Sequence, residues 1–370
     1  MLKNRATTEG TAAYARRFPK LDGNYRPMLG MSVSSIGIGT YLGEHDDQTD
    51  IEYMAAIKVA LLGGINLIDT AVNYRFQRSE RCIGRVLGEL VGSGELRREE
   101  IVVATKGGYI TFDGELPPNP REWFNEAYLK PGIIGPGELV EGSHCMAPRY
   151  LERMLAMSLE NLGLESVDIY YLHNPETQVA AIGREQFRAR VRLAFELLEA
   201  KAAEGKIGVY GAATWNAFRV DPKDASYLSI AELAGIAREV GGADHHFRVI
   251  QMPYNIAMPE AFTVVNQALP NGEGSPLAAA AAMNLAVCAS ASLLQGRLTS
   301  GLPPVVAEAM AGLANDGQRA VQFVRSTPGV NVALVGMKTV GHVRESLALA
   351  SHPPASLDSL MKLFRPAPER

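Results

Sequence analysis

Four side chains in this sequence have types and positions that can do chemistry together. Asp69 ends the apolar part of GINLIDTAVNYRFQRSERCIGRVLGE, the stretch Gly64–Glu89, and Tyr74 follows it by five positions. Lys106 ends EIVVATK, and His173 ends SVDIYYLH. Taken singly, Asp69 reads as a capping or salt-bridged carboxylate and Tyr74 as a loop tyrosine packed on a strand end. Taken together they have a mechanism. Charged groups so close to buried strands are costly unless paired, and an aspartate can hold the lysine ammonium in place. A phenol titrates near ~10, and an adjacent ammonium lowers that value. Tyr74 can then give its proton to a developing alkoxide near neutral pH, while His173 bonds and orients the same oxygen. The set holds no nucleophile–base pair of the Ser–His type and no clustered metal ligands, so no metal is expected. It suits protonating a carbonyl oxygen while a hydride arrives at carbon, and hydride must come from a cofactor.

Such groups converge only if the elements beneath them put strand ends side by side. Apolar, β-branched runs end at Thr40, Ala71, Lys106, His173, Ala213, Tyr254, Ser292 and Met337, and amphipathic helical patterns separate them. Helices are predicted at about 50–62, 79–90, 148–162, 184–204, 228–240, 305–326 and 340–349, with an irregular sixth helical region around an NGEG turn at Asn271–Gly274. Strict alternation means a parallel sheet. Eight units predict a closed (β/α)8 TIM barrel in a single domain, with an open doubly wound sheet as the competitor. Active sites of such barrels lie at the C-terminal ends of the strands, where all four side chains fall. Residues 1–24 read as an irregular N-terminal tail, 25–352 as the barrel and 353–370 as a C-terminal tail. A short hairpin is expected around Gly30.

One stretch breaks the rhythm. Gly107–Met146, the long loop after strand 3, is rich in Gly, Pro and aromatics, among them Tyr109, Phe112, Trp123, Phe124 and Tyr128. Loops of this length are usually functional or disordered, and the aromatics argue against disorder. The loop is expected to wall the substrate pocket and set substrate choice, with Trp123 as a probe.

Composition excludes several classes. The 370 residues are 47% hydrophobic and 21% charged, with a formal net charge of -4 spread along the chain, so neither nucleic acid nor an anionic membrane is an expected partner. Cys82, Cys145 and Cys288 are far apart and odd in number, which fits no disulfide framework and suits a cytoplasmic location. Met1–Lys20 lacks an apolar signal segment, and Pro276–Leu294 reads as a helix and a strand rather than a membrane span. Gly37-Ile38-Gly39 is a near miss for G-x-G-x-x-G and carries little weight. His144 with Cys145, and His245 with His246, lack partners at ligand spacing. Oligomeric state is not legible.

The motifs GINLIDTAVNY with SERCIGRVL, VVATK, SLENLGLESVDIYYLH, GKIGVYG, VIQMPYN and LVGMKTVGHVRESL resemble the aldo-keto reductase family in order, over about Ser34–Ala350. The resemblance implies a barrel that binds NADP(H) without a Rossmann motif and reduces aldehydes or ketones. It makes Asp69, Tyr74, Lys106 and His173 a tetrad with Tyr74 as the acid. Gln251 matches the glutamine that holds the nicotinamide amide. Thr214 stands where the family has Asn after the fifth strand, and Ser290 stands at the position of the stacking tyrosine. Lys338 and Thr339 lie near the adenosine phosphate position, and Glu345 matches the adenine-side glutamate with Ser346 in place of asparagine; outside the resemblance, Arg297 reads equally as a phosphate contact or as a solvated loop arginine. These departures leave NAD(H) open beside NADP(H). The implied function is an NADP-dependent oxidoreductase acting on a small-molecule carbonyl. The alternative is the same fold kept as a cofactor-binding redox sensor or interaction subunit with little turnover.

Overall fold

A computed structural model describes residues 1–364 of the chain. Eight parallel strands close a barrel in chain order: β1 Ile36–Gly39, β2 Leu67–Asp69, β3 Val102–Gly107, β4 Val167–His173, β5 Ile207–Ala213, β6 Phe247–Pro253, β7 Ala286–Ser290 and β8 Val332–Gly336. The register closes where Ala333 of β8 pairs with Ile36 of β1. Helices α1 Asp47–Gly63, α2 Arg78–Gly92, α3 Pro148–Leu162, α4 Arg184–Ala203, α5 Ile230–Gly241, α6 Pro276–Ala282, α7 Asp316–Ser326 and α8 Val340–Ala350 follow the strands in turn. The stretch expected as one helix over 305–326 is two, Pro304–Ala309 and α7. The first ends at Met310, and Asn315 caps the second through Gln318 N.

Strand residues i and i+2 share a face, and this period builds the site. Leu67, Ala104, Tyr171, Val249 and Cys288 belong to one buried cluster, to which Val102, Ile169, Ala286, Val332 and Leu334 also contribute. One pleat further along the same strands stand Asp69, Lys106, His173, Gln251 and Ser290. The polar mouth is thus the next layer on the same strand faces, and its apolar floor keeps water from the far end. Gly37 is part of that floor. A Cβ there would lie 2.7 Å from Leu67 Cδ2 and 2.9 Å from Leu334 Cδ2, so Gly37 serves close packing.

The expected hairpin joins Tyr25–Met28 to Met31–Ser34, turning on Leu29 and Gly30, both at positive φ. Its Met28 and Val33 pack into the interior cluster and plug the barrel's N-terminal end. Residues 1–24 differ from the irregular tail expected of them. Thr8–Arg16 is helical, capped by Thr7, with Tyr14 fully buried and its hydroxyl bonded to the Ile65 carbonyl at 3.1 Å. Thr7 as N-cap, the alanines at 12, 13 and 15 and the buried Tyr14 carry that helix. Beyond 352, Leu357–Met361 is also helical; the rest of the expected tail, 365–370, lies outside the described residues. Among the described residues no helix is long and apolar enough to cross a membrane.

The long segment after β3 carries a short helix, Pro120–Phe124, one wider turn at Asn125–Leu129, and a two-stranded ribbon, Leu139–Val140 with His144–Cys145. Tyr128, Ile134, Cys145, Tyr150 and Met154 form a separate buried cluster, with Trp123 and Phe124 against it.

Candidate active site

The four side chains singled out by type and spacing meet at the barrel mouth. Lys106 is fully buried, and its Nζ donates to Asp69 Oδ2 at 2.6 Å, to the Thr70 carbonyl at 2.8 Å and to the Tyr74 hydroxyl at 3.3 Å. Three acceptors saturate the ammonium, so its charge and direction are fixed. The other carboxylate oxygen of Asp69 accepts from Gln251 Nε2 at 2.7 Å. The Tyr74 ring meets His173 edge-on with centroids 5.7 Å apart, and Tyr41 covers its other side at 5.0 Å.

Electrostatics assign the protons. Burial would lower the Lys106 ammonium, but the Asp69 carboxylate, and then the Tyr74 phenol, outweigh it and raise it, so the lysine stays charged. Burial, and then the Lys106 charge, push the His173 imidazole well below its ordinary value, so it is neutral at pH 7. Tyr74 departs from expectation. Burial raises the phenol more than Lys106 lowers it, and the net shift is upward. The ammonium moderates the rise; it does not bring the phenol to neutrality.

The mouth opens into a cavity of about 890 Å³ running from Asp69, Tyr74 and His173 to Glu345 and Ser346 on α8. Of the remaining residues expected to contact a cofactor, Gln251, Thr214, Ser290 and Glu345 line it. Lys338, Thr339 and Arg297 do not. Lys338 Nζ pairs with Glu52 Oε2 at 3.3 Å, Thr339 caps α8 through His342 N, and Arg297 is exposed outside the wall. Among the described residues no Lys or Arg forms part of the cavity lining. Among the described residues, buried Thr214 Oγ1, His173 Nδ1 and Asn73 Oδ1, all of lining residues, have no hydrogen-bond partner, which fits a cavity that receives a polar ligand.

Tyr41, Asn73 and Trp215 are among the lining residues that spacing did not single out. Their signal was adjacency, since each sits within a few positions of a strand end. The aromatic loop corrects an expectation. Tyr109 is its only residue in the cavity wall. Phe112, Trp123 and Tyr128 stack on one another with centroids 5.2 and 5.6 Å apart, against Tyr150 of α3, so they satisfy each other away from the pocket.

A closed eight-stranded parallel barrel with a cavity at the C-terminal strand ends that carries several partly unsatisfied polar groups belongs to the barrel class whose members work at that face. Residues 35–261 match the model of the Aldo/keto reductase family, and the chain belongs to that family. It is similar to the NADH-specific methylglyoxal reductase of Escherichia coli, 29% identical over 211 residues, 55% of this chain and 54% of that protein. It is also similar to the D-threo-aldose 1-dehydrogenase of a Pseudomonas species, 28% identical over 191 residues, 50% of this chain and 49% of that protein. The chain thus spans about half the length of these relatives. Its fold is shared with a Klebsiella pneumoniae aldo/keto reductase solved with NADP and acetate (TM-score 0.61, 21% identity, 92% of this chain and 94% of that one). It is shared too with the Gluconobacter oxydans glycerol dehydrogenase (TM-score 0.62, 21% identity, 94% and 98%).

Proposed function

We propose that the protein is a nicotinamide-dependent oxidoreductase that reduces an aldehyde or ketone to the alcohol, with Tyr74 as proton donor. The observation that carries this reading is the Tyr74 hydroxyl 3.3 Å from a lysine ammonium that is itself bonded to Asp69 at 2.6 Å, beside a neutral histidine. NADP(H) or NAD(H) supplies the hydride when bound. The residues fit such a group: the cavity is long, the amide of Gln251 is held by Asp69, and Thr214, Ser290 and Glu345 stand along the wall. The cofactor named in the Klebsiella structure and in the Escherichia coli relative differ, and both remain within this proposal.

The chain's own part is positioning and proton transfer. Tyr74 is protonated in the resting site because burial raises it. A carbonyl oxygen placed between Tyr74 and His173 receives hydrogen bonds from both. As charge develops on that oxygen, the Tyr74 proton moves to it, and the phenolate left behind is stabilised by Lys106. Asp69 keeps the ammonium aimed. Thr339 and Lys338 belong to the adenosine end by sequence position, and Arg297 to the outer rim. The three buried free cysteines support a cytoplasmic location. The test is to mix the protein with NADH or NADPH and a panel of aldehydes and ketones and follow nicotinamide absorbance. Cofactor binding without turnover of any carbonyl would favour the redox-sensor alternative.

A further inference from the structure

Directly after Tyr74 the backbone does something unusual. Arg75, Phe76 and Gln77 all have positive φ, at 50, 51 and 74°. None is glycine or asparagine, and left-handed residues of other types persist only where the surroundings over-determine them. The largest constraint is Arg75. Its guanidinium is buried and donates to Asp50 Oδ1 at 2.6 Å, to the Glu44 carbonyl at 2.7 Å and to the Asp46 carbonyl at 3.3 Å. It also lies 5.2 Å over the Tyr53 ring. Glu44 and Asp46 belong to the β1–α1 loop, which also carries Tyr41, packed on the Tyr74 ring, and His45, stacked on Phe76 at 4.1 Å.

We infer that Arg75 is a positioning residue for the reaction, clamping the left-handed turn behind Tyr74 to the loop whose Tyr41 covers it, so that the phenol is held against Lys106. The 3.3 Å bond from Lys106 is long, so it constrains Tyr74 weakly. The ring is otherwise held by His173 on one side and Tyr41 on the other, and Tyr41 is 56% exposed, with little packing of its own. The Tyr41 loop is fixed by the fork from Arg75 to two of its carbonyls, beside the Tyr53 hydroxyl on the Leu42 carbonyl. A lysine can keep charge beside Asp50 but cannot reproduce that fork. The inference rests on the proposed proton donor, and its test separates the two.

The experiment compares wild type with Arg75→Gly, Arg75→Lys and Asp50→Asn in the full chain. Glycine tolerates the left-handed turn, so Arg75→Gly removes the clamp without adding backbone strain. Expected for Arg75→Gly is a loosened loop, read as lower backbone NMR order parameters across residues 41–46, with kcat down on the order of tenfold to a hundredfold, as a misplacement of about 1 Å can cost. KM and the Kd for NADH and NADPH by fluorescence should change much less. Arg75→Lys should recover thermal stability but not kcat, a split that a merely structural arginine would not produce. Wild-type order parameters in 41–46 for folded Arg75→Gly, or wild-type kcat in Arg75→Lys, overturns the inference. If Arg75→Gly does not fold, Arg75→Lys and Asp50→Asn decide by the same order-parameter and kcat readings. If wild type reduces no carbonyl, the proposed function fails on its own, while the order-parameter comparison still decides the clamp.

Discussion

Replacing Tyr74 with phenylalanine removes one oxygen and almost nothing else. The hydroxyl has one hydrogen bond, the 3.3 Å contact with Lys106 Nζ, and Lys106 keeps Asp69 and the Thr70 carbonyl as partners. Loss of so long a bond costs stability no more than about 1 kcal/mol. The ring keeps its edge contacts with Tyr41 and His173, so the cavity keeps its shape and the Kd for NADH or NADPH should be unchanged. Reduction should fall about 10²–10⁴-fold, the usual worth of a placed general acid, which is roughly 3–5 kcal/mol of barrier. The loss should appear in kcat and kcat/KM alike, because proton donation is made only in the transition state. The pH profile adds a second reading. Burial raises the Tyr74 phenol, so wild-type reduction should not fall as pH rises through neutrality. It should fall only above the ordinary tyrosine range, and the residual Tyr74→Phe rate should lack that limb. Stopped-flow nicotinamide absorbance with a reactive aldehyde measures both. A wild-type rate in Tyr74→Phe would refute the assignment of Tyr74 as donor and, with it, the reason for the Asp69–Lys106 pair.

Three further outcomes follow from particular contacts. Lys338 is tied to Glu52 rather than lining the cavity, so Glu52→Gln should strengthen NADPH binding, Lys338→Ala should weaken it by on the order of 1 kcal/mol, and NADH should hardly respond; parallel fluorescence titrations showing equal changes for both cofactors would remove Lys338 from the phosphate end. Trp123 packs on Phe112 and Tyr128 outside the pocket, so Trp123→Ala should lower stability by about 2 kcal/mol in denaturant melts while leaving relative kcat/KM across large and small carbonyls unchanged; a size-dependent change would return it to the pocket wall. His144 is buried with its imidazole held down to about 4 by burial, below the ~6.5 of the unfolded chain. The unfolded state therefore binds a proton first as pH falls, and up to about 3 kcal/mol of stability present above ~6.5 should be lost progressively down to about 4. His144→Gln should flatten that slope in pH-dependent melts, and an unchanged slope would place the acid sensitivity elsewhere.

Why the mouth was legible and its surroundings were not is a matter of range. Asp69, Lys106 and His173 each end a run whose inner face is set by a period of two, so the strand delivers the polar residue to the same face as the apolar one before it. Nothing beyond the strand is needed to place them, and the closure of eight such strands brings them together. Lys338 and Arg297 were placed by position alone, and their side chains turn to Glu52 and to solvent, a choice made by residues far away in sequence. The aromatic loop, Tyr109 apart, stays out of the pocket wall for a related reason. Its rings need apolar surface, and the sequence of the loop does not say that Tyr150 and Met154 on α3 offer more of it than the barrel rim does. The turn at Arg75–Gln77 is the extreme case. Its residues have no local preference for positive φ, so assembled contacts hold it: Arg75 with Asp50, Glu44 and Asp46, Phe76 with His45 and Phe112, and Gln77 with Phe112 and Asn161. A conformation that local preference opposes and distant contacts enforce depends on the folded state surrounding it, which is why the segment following Tyr74 is where function should be most sensitive to substitutions that leave the tetrad untouched.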